Sequence, residues 1–496
     1  MVGVGEVSER IGEPGYRRRS PAELAADAAR EALVDTGLPA GILAAVVDTV
    51  AAVPLFETTV PGLPSLGRPD NLPRAVAARI GARPRRAVLA ATGGQAPQQL
   101  VNEFAATIAA GDADVVLLFG AEALSTAAGL AATDDRPDWT EAVEGGLEVR
   151  GAGFSGVRTP QLTAHGATGA PVQYALIENA RRARVGLGRD EYAAEMGRLF
   201  APFTRVAAAH PHAAAPVERT ASELSTPSAG NRVVAEPYTM RLSAREKVNQ
   251  GAAVLMMSAH AARRFGVPPE KSVLLAGHAD LRERELLDRP DLSAGPAAVA
   301  AVREALRVAG VAADELSTLD LYSCFPAPVF AVADEFGLAP DDPRGLTVTG
   351  GLPYFGGPGN NYAMHAIAET VRRARRTPGT YGLVGANGGI LSAYSAGVYT
   401  TEPADWAPDE SAKLQAEVDA GPAVARAERA AGAATIETYT VRHDRDGTRA
   451  GIVIGRLTAG GDRFVATADP DLLSTGEPIG AEVCAETSPE GVTRVT

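Results

Sequence analysis

The stretch Arg30-Glu31-Ala32-Leu33, followed by Gly37, decides the fold because it returns later in the chain as Arg303-Glu304-Ala305-Leu306, followed by Gly310. Two further landmarks repeat in the same order: an apolar run that ends in a glycine pair, and a second apolar run that ends in glycine. These runs lie at 87–94 and 114–120 in the first copy, and at 346–351 and 381–385 in the second. A period of about 270 residues is too long for a solenoid repeat. It predicts two copies of one α/β half, with a site where the halves meet.

The composition excludes several classes of protein. Hydrophobic residues make up 46% of the 496-residue chain, which supports a sizeable core. The net charge of -13 argues against a nucleic-acid-binding protein, because phosphate backbones need a basic surface. Cys324 and Cys484 provide neither a disulfide framework nor a metal site, and no apolar stretch reaches the length of a membrane span. Met1 is followed by Val-Gly-Val-Gly rather than by a signal sequence, so we expect a cytoplasmic protein.

The landmarks also divide the chain into segments. These are a first half (1–126, completed by about 238–265), an inserted loop domain (127–237), a second half (266–400), a linker (401–434) and a C-terminal β-module (435–496). The first half is discontinuous because Asn249-Gln250-Gly251-Ala252-Ala253 begins a buried strand that should rejoin it. In the β-module, alternating segments separated by turn residues predict a small, open, oligonucleotide/oligosaccharide-binding-like (OB-like) barrel.

One turn between a strand and a helix has a geometry suited to catalysis. Thr92-Gly93-Gly94-Gln95-Ala96-Pro97 connects a strand to a helix that starts near Pro97, so the backbone N–H groups around Gly94 point outward. Such a turn favours an oxyanion or a nucleophile of lowered pKa. No nucleophilic side chain occupies the turn in this chain.

The order of these motifs resembles the thiolase family. The matching motifs are the Gly94 turn, the strand Asp114–Glu122, the inserted loop domain and Asn249–Ala253; they cover the chain from roughly Val2 to Thr400. The branch is similar to sterol-carrier-protein-2 thiolases, and the Ala-rich linker with its β-module further resembles actinobacterial type 1 thiolase-like proteins. The resemblance implies a duplicated five-layer α/β/α/β/α fold.

The family's catalytic residues are replaced at each matching position. The nucleophilic cysteine corresponds to Gly94, and the first residue of the His-Asp-Cys-Phe box to Tyr322. The histidine of the Gly-His-Pro box corresponds to Gly357, and the cysteine of the Cys-x-Gly box to Ala386. Thioester exchange needs a nucleophile and a base, so the resemblance implies loss of ordinary thiolase activity. Cys324 is the one thiol near this site by the same alignment.

The resemblance also implies a ligand, because thiolases bind the adenosine diphosphate end of coenzyme A (CoA) along the loop domain. A basic cluster in an otherwise acidic protein suits these phosphates. We assign this binding to Arg181, Arg182, Arg184 and Arg189, together with Gly388 of the last box. CoA or acyl-CoA is expected as a ligand, without a covalently bound cofactor or a metal, in a monomer or a homodimer.

Three functions remain open from the sequence. The first is a CoA- or acyl-CoA-binding protein of lipid metabolism with a degenerate thiolase site. The second is an acyl-CoA retro-aldol lyase that uses Tyr322 and Tyr354, because thiolase-like lyases of this class use tyrosines and an OB-like partner, for which the β-module would be the fused counterpart. The third is an acetyl-CoA acetyltransferase, the activity for which such chains are named.

Overall fold

The computed structural model describes all residues from 1 to 496. The first part of the chain contains β1 (Gly3–Ser8), α1 (Pro21–Asp35), α2 (Ala40–Val46), β2 (Thr49–Ala52), α3 (Leu72–Ile80), β3 (Arg86–Leu89), α4 (Ala96–Ala109), β4 (Val115–Ala123) and α5 (Leu124–Leu130). The inserted part contains β5 (Glu148–Val149), α6 (Pro160–Ala164), α7 (Ala170–Val185), α8 (Arg189–Ala209), α9 (Ala221–Ser225), β6 (Val233–Ala235) and β7 (Tyr238–Thr239).

The second half and the C-terminal module complete the chain. The second half follows β8 (Asn249–Met257) and α10 (Ala259–Phe265), and contains β9 (Leu274–Arg282), α11 (Pro296–Ala309), β10 (Leu316–Asp320), α12 (Pro326–Phe336), α13 (Tyr362–Arg376), β11 (Tyr381–Gly388) and β12 (Ala393–Thr400). The last part contains α14 (Ser411–Ala420), β13 (Ala431–His443), β14 (Arg449–Leu457), β15 (Arg463–Ala468), α15 (Pro470–Ser474), β16 (Glu482–Thr487) and β17 (Thr493–Val495).

Two sheets form the duplicated halves. The first has the strand order β1-β8-β4-β2-β3-β5 and the second the order β10-β11-β12-β9. Because β8 lies between β1 and β4, residues from beyond the inserted part complete the first sheet. Helices α4 and α13 pack between the two sheets, α1 and α3 cover the outer side of the first, and α11 with α12 covers that of the second. The result is the five-layer α/β/α/β/α arrangement.

The repeated Ala32 and Ala305 mark the same close contact in both halves. A Cβ atom at Gly3 of β1 would lie 2.0 Å from the carbonyl oxygen of Ala32, and one at Gly277 of β9 would lie 1.9 Å from that of Ala305. Each strand therefore needs glycine where a helix backbone touches it. The small alanines and the glycines together let helix and sheet approach closely.

The apolar run that ends in a glycine pair forms a strand only in the first half. The run at 87–94 includes most of β3, whereas the run at 346–351 has no regular strand hydrogen bonding. The buried carboxylate of Asp320 accepts the backbone N–H of Val348 at 2.9 Å and the hydroxyl of Thr347 at 2.9 Å. A side chain thus provides the partner that a neighbouring strand provides in the first half.

The C-terminal module is a closed five-stranded barrel, so the prediction of an open one is wrong. Its strands run in the order β13-β14-β15-β17-β16, and β16 pairs back to β13. Closure depends on the short strands β16 and β17, which carry little alternation of apolar and polar residues. Strand β13 also pairs with β6, so the barrel is joined to the inserted part by backbone hydrogen bonds.

The inserted part contains a long helix with a proline inside it. Helix α8 continues past Pro202 to Ala209. Buried side chains of α8 such as Phe200 and Phe203 pack in the core of this part, which compensates the hydrogen bond that Pro202 removes. None of the protein's helices combines the length and the apolar character needed to cross a bilayer.

The contact between β9 and α11 gives a first prediction. Replacing Gly277 with alanine places a methyl group against the Ala305 carbonyl, and we expect it to lower the free energy of unfolding by about 1–3 kcal/mol. The measurement is urea denaturation followed by circular dichroism.

Gly41 provides the matched control for this substitution. It lies in α2, and a Cβ atom there would meet nothing within 4 Å. Gly41→Ala should therefore leave stability unchanged or raise it by up to about 1 kcal/mol. A Gly277→Ala protein as stable as Gly41→Ala would contradict the close contact.

Candidate active site

The turn between β3 and α4 is filled by a tyrosine. A Cβ atom at Gly94 would lie 2.2 Å from the hydroxyl oxygen of Tyr322 and 2.5 Å from the carbonyl oxygen of Asn387. No side chain fits at position 94 unless Tyr322 moves. The resemblance brought these two positions to one site, and the structure places them in direct contact. Tyr322 follows β10, so the contact joins the two halves.

Tyr322 is buried, and its hydroxyl makes no hydrogen bond within the protein. Its ring packs edge-on against that of Tyr362, with centroids 5.5 Å apart. Burial raises the pKa of Tyr322 well above that of a free tyrosine, since the phenolate would lose its hydration. At neutral pH the group is therefore a neutral hydroxyl that can donate a hydrogen bond.

Cys324 lies beside the same site. The side-chain nitrogen of Asn387 is 4.0 Å from its sulfur, and the same nitrogen donates to the hydroxyl of Tyr174 at 2.7 Å. Burial raises the pKa of Cys324 to about 12. A thiol of such low acidity carries little thiolate near pH 7 and is a poor nucleophile.

Gly388 adjoins the site from the next residue of β11, but another side chain occupies the space beside it. A Cβ atom at Gly388 would lie 1.8 Å from Oε1 of Gln95, and one at Gly93 would lie 2.1 Å from the same oxygen. This oxygen is buried and has no hydrogen-bond partner. Gln95 thus forms a polar wall of the site, which the sequence did not indicate.

Three further positions that the sequence analysis assigned to the site are Ala386, Gly357 and Tyr354. Ala386 is fully buried on β11. A Cβ atom at Gly357 would lie 3.2 Å from Leu352 and 3.5 Å from the carbonyl oxygen of Arg245, and the glycine itself carries no base. The hydroxyl of Tyr354 is buried without a partner, but its ring contacts Phe200 of the inserted part, not Tyr322. The two tyrosines thus pack against different neighbours.

The four arginines assigned to CoA are already engaged by the protein. Arg181 forms a bidentate pair with Asp334 at 2.7 and 2.8 Å and stacks on Phe330. Arg184 pairs with the same carboxylate, Arg182 pairs with a glutamate of the barrel, and Arg189 donates to three barrel carbonyls. Their arrangement stabilises the inserted part and its contact with the barrel. Phosphate binding by these side chains stays a prediction.

A groove does lie next to two of these arginines. It has a volume of about 660 Å³ and lies between α7, α8 and α9 on one side and β13 on the other. Arg182 and Arg189 line it, as does Arg198, an exposed residue of α8 that takes part in none of the protein's ion pairs. Arg182 and Arg189 of the predicted cluster face this groove, whereas Arg184, with 41% of its side chain exposed, lies outside it.

The arrangement of two sheets, inserted helices and a C-terminal barrel matches a known structure over its full length. A monomeric SCP2-thiolase-like protein type 1 from Mycobacterium smegmatis is 49% identical, with a TM-score of 0.85, over 100% of this chain and 98% of that one. The chain belongs to this family. Residues 413–493 also match the family model of the thiolase-like protein type 1 additional C-terminal domain.

More distant structures share the thiolase fold alone. The Ltp2-ChsH2(DUF35) aldolase is 18% identical with a TM-score of 0.57, covering 80% of this chain and 96% of that one. Acetyl-CoA acetyltransferase from Syntrophomonas wolfei is 15% identical with a TM-score of 0.55, covering 81% and 98%. No curated protein matches the chain in sequence. The likeness to the solved structures confirms the predicted family and five-layer fold.

The burial of Cys324 gives a second prediction. With iodoacetamide at about pH 7.5, the exposed Cys484 should react at least about tenfold faster than Cys324, and the Cys324 rate should keep rising with pH beyond about pH 9. Mass spectrometry of the labelled peptides measures both rates. A Cys324 rate that levels off near neutral pH would indicate an activated thiol, and a Cys484→Ser protein serves as the control.

Proposed function

We propose that this protein binds CoA thioesters in a thiolase-type site and does not form an acyl-enzyme at position 94. The observation that carries the proposal is the contact between Gly94 and the hydroxyl of Tyr322, only 2.2 Å from where a Cβ atom would be. An acyl-enzyme needs a nucleophile at the turn, and the phenol fills that volume. The thiolase fold of the relatives supports a CoA thioester as the ligand.

Tyr322 would act on the ligand as a hydrogen-bond donor. Its hydroxyl is neutral, has no partner and stands at the turn where the backbone N–H groups of α4 begin. A hydroxyl fixed there can donate to the thioester oxygen of a bound ligand. Because position 94 carries no nucleophile, binding rather than covalent transfer is the role that we propose.

The groove between the inserted helices and the barrel is the proposed place for the phosphates of CoA. Arg198 is the residue to test, because it is exposed, unpaired and on the groove. Arg189 adds positive charge there because it donates only to barrel carbonyls, whereas the charge of Arg182 is paired with Glu477. We further expect a cytoplasmic protein that is a monomer, like the relative from Mycobacterium smegmatis, or a homodimer.

Titration calorimetry tests this proposal as a third prediction. CoA and acetyl-CoA should bind in the micromolar range, and Arg198→Ala should weaken both by about three- to tenfold, with a smaller effect at high salt. Arg205→Ala is the matched control, because Arg205 is an exposed arginine of the same helix that pairs with Glu218 outside the groove. Absence of binding would overturn the function, and equal effects of the two variants would overturn the groove.

A retro-aldol lyase is the second candidate, favoured by the same unpartnered hydroxyl. In that reaction a base takes the proton of the β-hydroxyl, the Cα–Cβ bond breaks, and the electron pair moves onto the thioester oxygen as an enolate. Tyr322 is placed to donate to that oxygen, but its raised pKa makes it unsuited to be the base. Tyr354 also has a raised pKa because of burial, so neither tyrosine supplies the base. The lyase therefore ranks second.

A fourth prediction separates these two functions. If the protein is a lyase, it should release a shortened acyl-CoA from a β-hydroxyacyl-CoA, detected by chromatography, and Tyr322→Phe should lower the rate about 100-fold or more while CoA affinity stays within about twofold. If the protein only binds, no product appears with either form. Acetoacetyl-CoA formation from acetyl-CoA, inhibited by alkylation of Cys324, would instead favour the acetyltransferase.

A further inference from the structure

The loop after β11 closes one side of the candidate site and is strained. Leu391 adopts a backbone φ of 50°, in the left-handed region that a leucine rarely occupies. Its N–H donates to the hydroxyl of Tyr174 at 3.1 Å, and that hydroxyl donates to the carbonyl of Gly389 at 3.0 Å. Because Tyr174 also accepts from Asn387, the loop conformation fixes the side chain next to Cys324.

A buried arginine donates hydrogen bonds to the backbone of this loop. Arg289 is 1% exposed, and it donates to the carbonyl oxygens of Ile390 at 2.6 Å and Leu391 at 3.4 Å. It has no carboxylate partner, and one of its terminal nitrogens has no partner at all. Burial lowers the pKa of Arg289, and the nearby carboxylate of Glu283 offsets only part of that effect. Such a group stays in place only when the surrounding backbone is held firmly.

The barrel holds the backbone of this arginine. Arg463, the first residue of β15, donates to the carbonyl oxygen of Arg289 at 2.6 Å and to that of Leu287 at 3.0 Å. Arg463 is itself 1% exposed and is oriented by Glu437 of β13 at 2.6 Å. Arg426 also pairs with Asp288, which adds a second contact to the segment that carries Arg289.

We propose that the C-terminal barrel is a positioning element of the site, acting through Arg463 on Arg289 and through Arg289 on the loop at 388–392. Arg289 and Arg463 are positioning residues, since their nitrogens contact backbone carbonyls and not the space beside Tyr322. The barrel then has a role whatever ligand the site takes. The proposal does not rest on CoA binding.

Hydrogen exchange and thiol labelling test this role in the full chain with the Cys484→Ser background. In Arg463→Ala, amide exchange at 388–392 should rise and the labelling rate of Cys324 should increase at least about tenfold, because a hydrogen bond from a charged group contributes that much to loop closure. Arg456→Ala is the control: Arg456 pairs with the same Glu437 but otherwise donates only within the barrel. It should leave exchange at 388–392 and the labelling rate unchanged.

The remaining outcomes are decisive as well. Unchanged exchange at 388–392 in Arg463→Ala would overturn the proposal, as would an equal rise in Arg456→Ala. If Arg463→Ala unfolds the barrel, Arg463→Met decides, because a methionine keeps an apolar stem of similar length but has no donor toward the Arg289 carbonyl. Protected strands β13 to β15 with a loosened loop in Arg463→Met would support the proposal, and Arg463→Lys, which retains a donor, should close the loop again. Protected strands in Arg463→Met with a loop as closed as in the wild type would refute it.

Discussion

The contact between the Tyr322 phenol and Gly94 is the constraint on which the candidate site depends. Glycine at the turn leaves a space, and the phenol fills it from the other half of the molecule. The same burial raises the pKa of Tyr322, so its hydroxyl stays protonated, and no protein group accepts its hydrogen bond. A larger side chain would fit at position 94 only if Tyr322 and the backbone at Asn387 moved, so residues of both halves would have to change together.

Much of the fold could be predicted because its signals are local and repeated. Ala32 and Ala305 recur in the sequence since each half needs a small residue where a helix backbone touches a strand glycine. The closure of the barrel could not be predicted, because β16 and β17 are short and lack a clear alternation. Nor could the loss of a strand at 346–351, which depends on the carboxylate of Asp320 and not on any propensity of that segment.

Residues of the site could be predicted from their positions in the motifs. Contacts between side chains that are far apart in sequence could not. Tyr322, Cys324 and Gly94 were placed together by the resemblance to the thiolase motifs. The arginines of α7 looked like a free basic cluster, yet Arg181 and Asp334 are 153 residues apart in sequence and adjacent in the structure. Gln95 and Tyr174 were missed for the same reason: the bond between Tyr174 and Leu391 spans 217 residues.

The hydrogen-bond partners of the buried arginines separate those that stabilise the fold from the one that lies behind the candidate site. Arg181, Arg182 and Arg463 each face a carboxylate, so their charge is neutralised where they stand. Arg289 donates only to carbonyl oxygens, and the nearby carboxylate of Glu283 offsets part of its charge through space. Inside a protein such a charge acts over several ångströms with little screening. The remaining positive charge therefore adds to the hydrogen bonds that hold the carbonyl oxygens of Ile390 and Leu391 beside Tyr174.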